Sequence, residues 1–175
     1  MTNVLIVAGH SGSGKSYLAK ELEEKFNFNR LRQVTTRPRR EGEEEDAYDF
    51  ITDEVYDKIK DTLFGKTEFN GYRYGTYKTI EVNKNNVVVL NKKGIEDFRK
   101  QMSGIDNQVI NNIIVLGLKI KEGKREGRNL EQENLDILSV IDYLLTADTY
   151  IDTVEILEYL ESKTKLNLGL RKENI

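Results

Sequence analysis

Val4-Leu5-Ile6-Val7-Ala8 is an unbroken apolar run, the pattern of a strand buried on both faces of a parallel sheet. In the stretch that follows, Tyr17 to Phe26, apolar residues recur at Leu18, Leu22 and Phe26, a spacing that predicts an amphipathic helix. Asn27 to Asn29 predict a turn, and Leu31 to Val34 a short second strand. Tyr48 to Ile51 alternates enough for another strand. Thr52 can cap a short helix through Lys60, with Val55 and Ile59 on one face. Phe64 to Tyr74 is rich in aromatic and β-branched residues around Asn70-Gly71, a strong hairpin signal. Val87 to Leu90 returns to the buried-strand pattern, and Gly94 to Met102 predicts a helix with Ile95, Phe98 and Met102 on one face. Ile113 to Leu116 predicts a further buried strand. Leu135, Leu138, Ile141 and Leu145 mark a long helix, although Tyr143 to Thr146 reads equally as a last short strand. Val154, Leu157 and Leu160 predict a terminal helix, with a frayed tail from Leu166.

Strands alternating with helices predict an α/β fold with a parallel sheet, interrupted between Leu31 and about Ile80 by a small strand-rich insertion. A site in such a fold sits at the carboxyl ends of the strands. The 175 residues suffice for one domain with a proper core. A net charge of −3 gives no overall footprint for nucleic acid or membrane. The chain has no cysteine, so disulfides, thiolate catalysis and cysteine-based zinc sites are excluded. The first apolar run is too short for a membrane span and lacks the basic flank of a signal peptide. A cytoplasmic enzyme or binding module is the expectation.

Between the first strand and first helix lies Gly9-His10-Ser11-Gly12-Ser13-Gly14-Lys15-Ser16, which fits the phosphate-loop pattern G-x-x-x-x-G-K-[ST] in the right strand–loop–helix context. Its glycines let the backbone wrap a phosphate, and its amides and the helix start direct positive partial charge at the anion. Lys15 would reach the β- and γ-phosphates of a nucleotide, and the Ser16 hydroxyl would join the shell of Mg²⁺. His10, the only histidine, reads as a variable loop position rather than a catalyst.

A second constellation runs from Thr35 to Glu43, where Arg37, Arg39 and Arg40 precede an abrupt acidic run, Glu43 to Asp46. Guanidiniums grip phosphates through forked, charge-assisted hydrogen bonds. Tyr48, Tyr74 and Thr76 add hydroxyls suited to a phosphate monoester. A second phosphate held here would face the first, the layout for moving a phosphoryl group between two nucleotides. Read alone, the same stretch is a solvated charge run.

Thr35-Thr36-Arg37-Pro38-Arg39-Arg40-Glu41-Gly42-Glu43 resembles the T-T-R-x-x-R-x-G-E signature of the guanylate kinase family. Tyr48-Asp49-Phe50 resembles its Y-x-F, and Gly71-Tyr72-Arg73-Tyr74-Gly75-Thr76 its G-x-x-Y-G-[ST] hairpin. The resemblance implies an ATP- and Mg²⁺-dependent kinase of a nucleoside monophosphate, GMP or dGMP first, that acts as a monomer or homodimer. It implies a three-layer P-loop NTPase core (residues 1–34, 81–118 and 129–175), a monophosphate-binding insertion (35–80) and a lid (119–128). By position, Arg37 and Arg40 would hold the acceptor phosphate beside Tyr48 and Tyr74. Glu43 matches an acidic position in that pocket, and Thr76 a hydroxyl within reach of the base. Lys124, Arg125 and Arg128 supply lid charge, with Arg125 and Arg128 the candidates for stabilising the transferred phosphoryl.

The chain departs from the family where the base is read. Guanine offers donors at N1 and N2, for which a carboxylate is the natural partner. Ungapped alignment puts Gly65 at the family's glutamate, and Glu68 takes the role only if the strand is shifted. Val89 and Asn91 stand for the family's D-x-D pair, Gln33 for a serine, and Ser139 lies near a further arginine. An amide both donates and accepts, so Asn91 or Gln33 could suit another base edge. Two alternatives stay open: a sugar-phosphate kinase of the ribose bisphosphate phosphokinase type, and a binding module without catalysis.

Overall fold

The computed structural model describes residues 1–103, 110–120 and 136–170. Its larger sheet is wholly parallel, in the order β2-β7-β1-β8-β9, built from β1 (Asn3–Gly9), β2 (Asn29–Arg30), β7 (Asn85–Val89), β8 (Asn112–Ile120) and β9 (Tyr143–Ala147). The apolar run at Val4 becomes its centre because both faces of β1 are covered. Leu5 and Val7 pack with Leu18 and Leu22 of α1 (Lys15–Phe26) and with Leu157 and Leu160 of α4 (Thr153–Thr164). Val4, Ile6 and Ala8 pack on the other face with Ile95 and Phe98 of α3 (Lys92–Met102). Three layers result, in the arrangement of a P-loop NTPase core.

The smaller sheet has the order β4-β3-β6-β5: β3 (Gln33–Thr35), β4 (Asp49–Phe50), β5 (Leu63–Phe69) and β6 (Tyr72–Tyr77). The hairpin between β5 and β6 turns at Asn70 and Gly71, both at positive φ (52° and 77°), as a tight turn of this hand requires. Between β4 and β5 lies α2 (Asp53–Ile59), whose N-cap Thr52 accepts from the Val55 amide. Phe64 of β5 meets Phe98 of α3 edge to face at 4.8 Å, which seats the small sheet on the core.

Several sequence expectations change. The single strand expected over Leu31–Val34 is two: Asn29–Arg30 joins β7, Gln33–Thr35 joins β6, and buried Leu31 lies between. On α2, Tyr56 is the buried residue and Val55 is exposed. The ambiguity at Tyr143 resolves to a strand, and the apolar periodicity before it belongs to Ile137 and Val140 rather than exposed Leu138. On α4, Val154 is exposed while Ile156 turns inward. The tail does not fray at Leu166. Leu168 is buried, the Leu168 amide donates to Glu161 at 2.6 Å, and Leu166 and Leu170 pack on the same core.

Candidate functional site

The phosphate loop leaves the carboxyl end of β1. Gly12 and Gly14 sit at φ +84° and +86°, so side chains there would be strained. At Gly9 a Cβ would land on the Leu118 carbonyl and on Ser13 Oγ. Helix α1 starts on Gly14 with no side-chain cap, which leaves its first amides to a ligand. Lys15 Nζ donates to the His10 carbonyl at 2.6 Å, inside the loop's own curve. Ser13 Oγ is buried without a hydrogen-bond partner.

His10 is not the indifferent loop position expected. It is buried, with Nδ1 2.8 Å from the Ser11 carbonyl, so that nitrogen donates. Nε2 lies 3.1 Å from the Ile120 carbonyl and 3.3 Å from the Ile120 amide. The ring thereby fastens the loop to the end of β8 and faces away from the cleft, with only the backbone of His10 left to the phosphate loop.

The cleft beside this loop has a volume of about 550 Å³, and it joins Lys15 and Ser16 to Arg37, Arg40, Glu43, Tyr48 and Tyr74. Strand β3 delivers the arginine loop, and the Arg37 amide donates to Thr35 Oγ1. The Arg37 guanidinium is buried and grips Glu43 with two parallel bonds of 3.0 and 2.7 Å. Glu43 also accepts from the Arg40 amide at 3.0 Å. Arg37 holds the Glu43 carboxyl below the usual carboxylate range, and Glu43 in turn raises the guanidinium. Glu43 therefore shapes the loop from within by orienting Arg37, while the exposed Arg40 side chain reaches the cleft. The Tyr48 and Tyr74 rings meet edge to face at 6.0 Å, and burial pushes the Tyr48 phenol up.

The acidic run is exposed from Glu44 to Asp46, with its acids paired to surface cations. Glu44 pairs with Lys20 of α1 at 2.6 Å, Glu45 with Arg39 at 3.6 Å and Asp46 with Arg32 at 3.9 Å. Each acid reaches back to a different cation, and Glu44 ties the loop to the middle of α1.

The other end of the cleft is lined by Gln33, Gly65, Thr67, Phe69, Leu90 and Asn91. Strand β5 is bulged between Phe64 and Thr67, and Asp97 of α3 accepts from the Lys66 amide at 2.8 Å. The bulge brings Gly65, at φ +61°, to the wall, and strand alternation then turns Thr67 and Phe69 inward. Glu68, expected to read the base through a shifted strand, is exposed and outside the cleft lining. Thr76 is fully buried behind Gln33, which donates to its hydroxyl at 3.3 Å, so Thr76 acts on a ligand only through Gln33. Asn91 caps α3 by accepting from the Gly94 amide at 2.9 Å, and its amide nitrogen donates to Thr67 Oγ1 at 3.3 Å. Thr67 and Phe69 escape sequence reasoning because the bulge resets which residues of β5 face inward. Arg125 and Arg128 lie outside the described residues, as does Lys124.

No family model matches the chain. A guanylate kinase of Clostridium tetani is 29% identical over 191 aligned residues, covering 98% of this chain and 91% of the relative. A guanylate kinase of Agrobacterium fabrum is 39% identical over 77 residues, covering 42% of this chain and 35% of its own length. The chain is similar to guanylate kinases, over nearly its whole length in the first case and over less than half of it in the second. Its fold agrees: the crystal structure of guanylate kinase from Anaplasma phagocytophilum matches 97% of this chain and 88% of its own at a TM-score of 0.66, with 18% sequence identity.

The residues present suit a nucleoside triphosphate at the loop. Ser13 holds an orphaned buried hydroxyl, the α1 amides lack a cap, and Gly9 sits where a side chain would collide with β8. Among the described residues no group of three or more acidic or histidine side chains could hold a metal ion. Ser16, at the start of α1, is a candidate ligand for Mg²⁺, which typically keeps several waters and substrate phosphates in its shell. Among the described residues no helix is long and apolar enough to cross a membrane.

Proposed function

We propose that this protein transfers the γ-phosphoryl group of ATP to a nucleoside monophosphate, with GMP and dGMP the acceptors indicated by the names of its relatives. One observation carries the reading: a single cleft is lined by both the phosphate loop and the arginine loop. A protein that only bound a nucleotide would need one of these loops. A kinase of monophosphates needs both, facing each other.

The chemistry follows from charge and position. Lys15 leaves the His10 carbonyl for the β- and γ-oxygens of the donor, and the start of α1, which has no side-chain cap, and the Ser13 hydroxyl bind the same phosphates. Ser16 would help hold Mg²⁺, which would supply further neutralisation of the phosphate oxygens. Arg37, locked by Glu43, and the exposed Arg40 grip the acceptor phosphate, with the Tyr48 and Tyr74 hydroxyls beside it. A phosphate monoester is already an anionic nucleophile, so no general base is needed. Alignment and electrostatic stabilisation supply the rate. Arg125 and Arg128 are the proposed lid cations for the transferred phosphoryl.

The test is ADP release with MgATP against ribo- and deoxyribonucleoside monophosphates, with Lys15→Ala as control. Turnover with a monophosphate that the control abolishes is the expected result. Silence across the panel from folded protein overturns the reading, and turnover with a ribose bisphosphate alone favours the sugar-phosphate alternative, to which the absence of a carboxylate at the base end among the described residues lends support.

A further inference from the structure

We infer that the acceptor base is read by a neutral donor–acceptor pair, Gln33 with Asn91 and Thr67, so the enzyme accepts several bases rather than selecting guanine. The inference rests on the kinase reading above and concerns the acceptor end of the same cleft.

Among the described residues the one carboxylate lining this cleft is Glu43, and it is committed to Arg37 at the phosphate end. At the base end the polar side chains are amides and a hydroxyl, and their orientations are fixed from behind. Gln33 Nε2 donates to the Val89 carbonyl at 3.1 Å and to Thr76 Oγ1 at 3.3 Å. A carbonyl only accepts, so the amide nitrogen must face Val89, and both of its hydrogens are used. Gln33 is left with its carbonyl oxygen to offer a ligand, as an acceptor. Asn91 is fixed in the opposite sense. Its oxygen accepts from the Gly94 amide, which places its nitrogen towards Thr67 Oγ1. That leaves the second amide hydrogen of Asn91 and the hydroxyl hydrogen of Thr67 as donors.

The site thus offers one acceptor and neighbouring donors. Guanine's distinguishing feature is two adjacent donors, N1–H and the N2 amino group, which call for two acceptors side by side. A single acceptor beside a donor complements a different feature, one that every base carries on its Watson–Crick edge. In guanine it is N1–H beside O6, in adenine the N6 amino group beside N1, in thymine N3–H beside O4, and in cytosine the N4 amino group beside N3. No charged group at the described wall penalises any of them. A site that hydrogen-bonds a distinguishing group rejects analogues lacking it by about 10⁴-fold or more, and this wall has no such contact to lose.

The experiment measures kcat/KM for GMP, AMP, dTMP and dCMP under saturating MgATP, in the wild-type protein and in Asn91→Asp and Gln33→Met. Asn91→Asp keeps the helix cap while placing a carboxylate on the wall. The wild type is expected to use at least one further base within about tenfold of GMP, and Asn91→Asp to raise the GMP:AMP ratio about tenfold through a charge-assisted bond to the guanine donors. Gln33→Met is expected to raise KM for all bases together while kcat changes little. Thermal melting of both variants checks that they fold. A wild-type preference for GMP above a hundredfold overturns the inference and leaves the kinase reading intact, as does an unchanged base ratio in folded Asn91→Asp. Absence of turnover with every acceptor overturns the kinase reading itself.

Discussion

The two ends of the cleft are built on opposite principles. At the phosphate end, charge is concentrated and held: Lys15 from one loop, Arg37 and Arg40 from the other, with Glu43 fixing the Arg37 fork by two bonds. At the base end, neutral amides are oriented by backbone groups, and the wall is shaped by a bulge that Asp97 pins from α3. Phosphates are common to every acceptor, so strong charged contacts there add binding and rate without choosing a base. The choice rests on weak neutral contacts, which are easily exchanged without disturbing the fold.

The largest expected effect belongs to the charged end. Lys15→Ala should lower kcat/KM about a thousandfold for every acceptor alike, read in steady-state assays, because it removes charge stabilisation shared by all of them. A loss that differed by base would break the separation of the two ends. Arg37→Ala comes next. It leaves the Glu43 carboxylate in a mostly buried place without its guanidinium, and should cost about 2 kcal/mol in denaturant unfolding as well as raising KM for acceptors tenfold or more. Adding Glu43→Gln should recover part of the stability but none of the affinity, which separates the two roles of Arg37.

Smaller effects sharpen the contrast from outside the cleft. Gly71→Ala puts a side chain at φ +77° in the exposed hairpin turn and should cost about 1 kcal/mol of stability, with kcat/KM unchanged. The least effect should appear as pH dependence. Lys25 first, then Thr153, hold the Glu21 carboxyl down at about 2. A lowered carboxyl stabilises the fold above the unfolded value, so this contribution is complete above about pH 4.5 and fades as the pH falls towards about 2. Glu21→Gln should flatten that part of the melting-temperature profile and leave the neutral range almost unchanged.

The sequence showed these two ends unequally. The phosphate loop is contiguous, from Gly9 to Ser16, and so is the arginine loop from Thr35 to Glu43. Local backbone geometry and charge suffice to define each, and both were readable before any fold was known. The base end is assembled from Gln33, Gly65, Thr67, Phe69 and Asn91, which lie on two strands, a bulge and a helix cap. Nothing in the alternation of β5 announces a bulge or where it falls, so the shifted strand that would bring Glu68 to the base is not the one that forms, and Thr67 goes unnoticed. The core strands were legible because residues buried on both faces form unbroken apolar runs. Leu168 was not, since its burial depends on a returning tail packing beside Phe28 and Leu160 rather than on local periodicity. His10 escaped for the same reason: its partner, Ile120, is distant in the chain.

The central claim is that one cleft holds two nucleotides with their phosphates facing each other. Calorimetry with a bisubstrate compound, adenosine joined to a second nucleoside through a chain of five phosphates, tests this most directly. Because linking two ligands makes the second binding event intramolecular, the account predicts affinity at least a hundredfold above that of ATP, lost on Arg37→Ala as well as on Lys15→Ala. Affinity no greater than that of ATP, or affinity insensitive to Arg37→Ala, would contradict it.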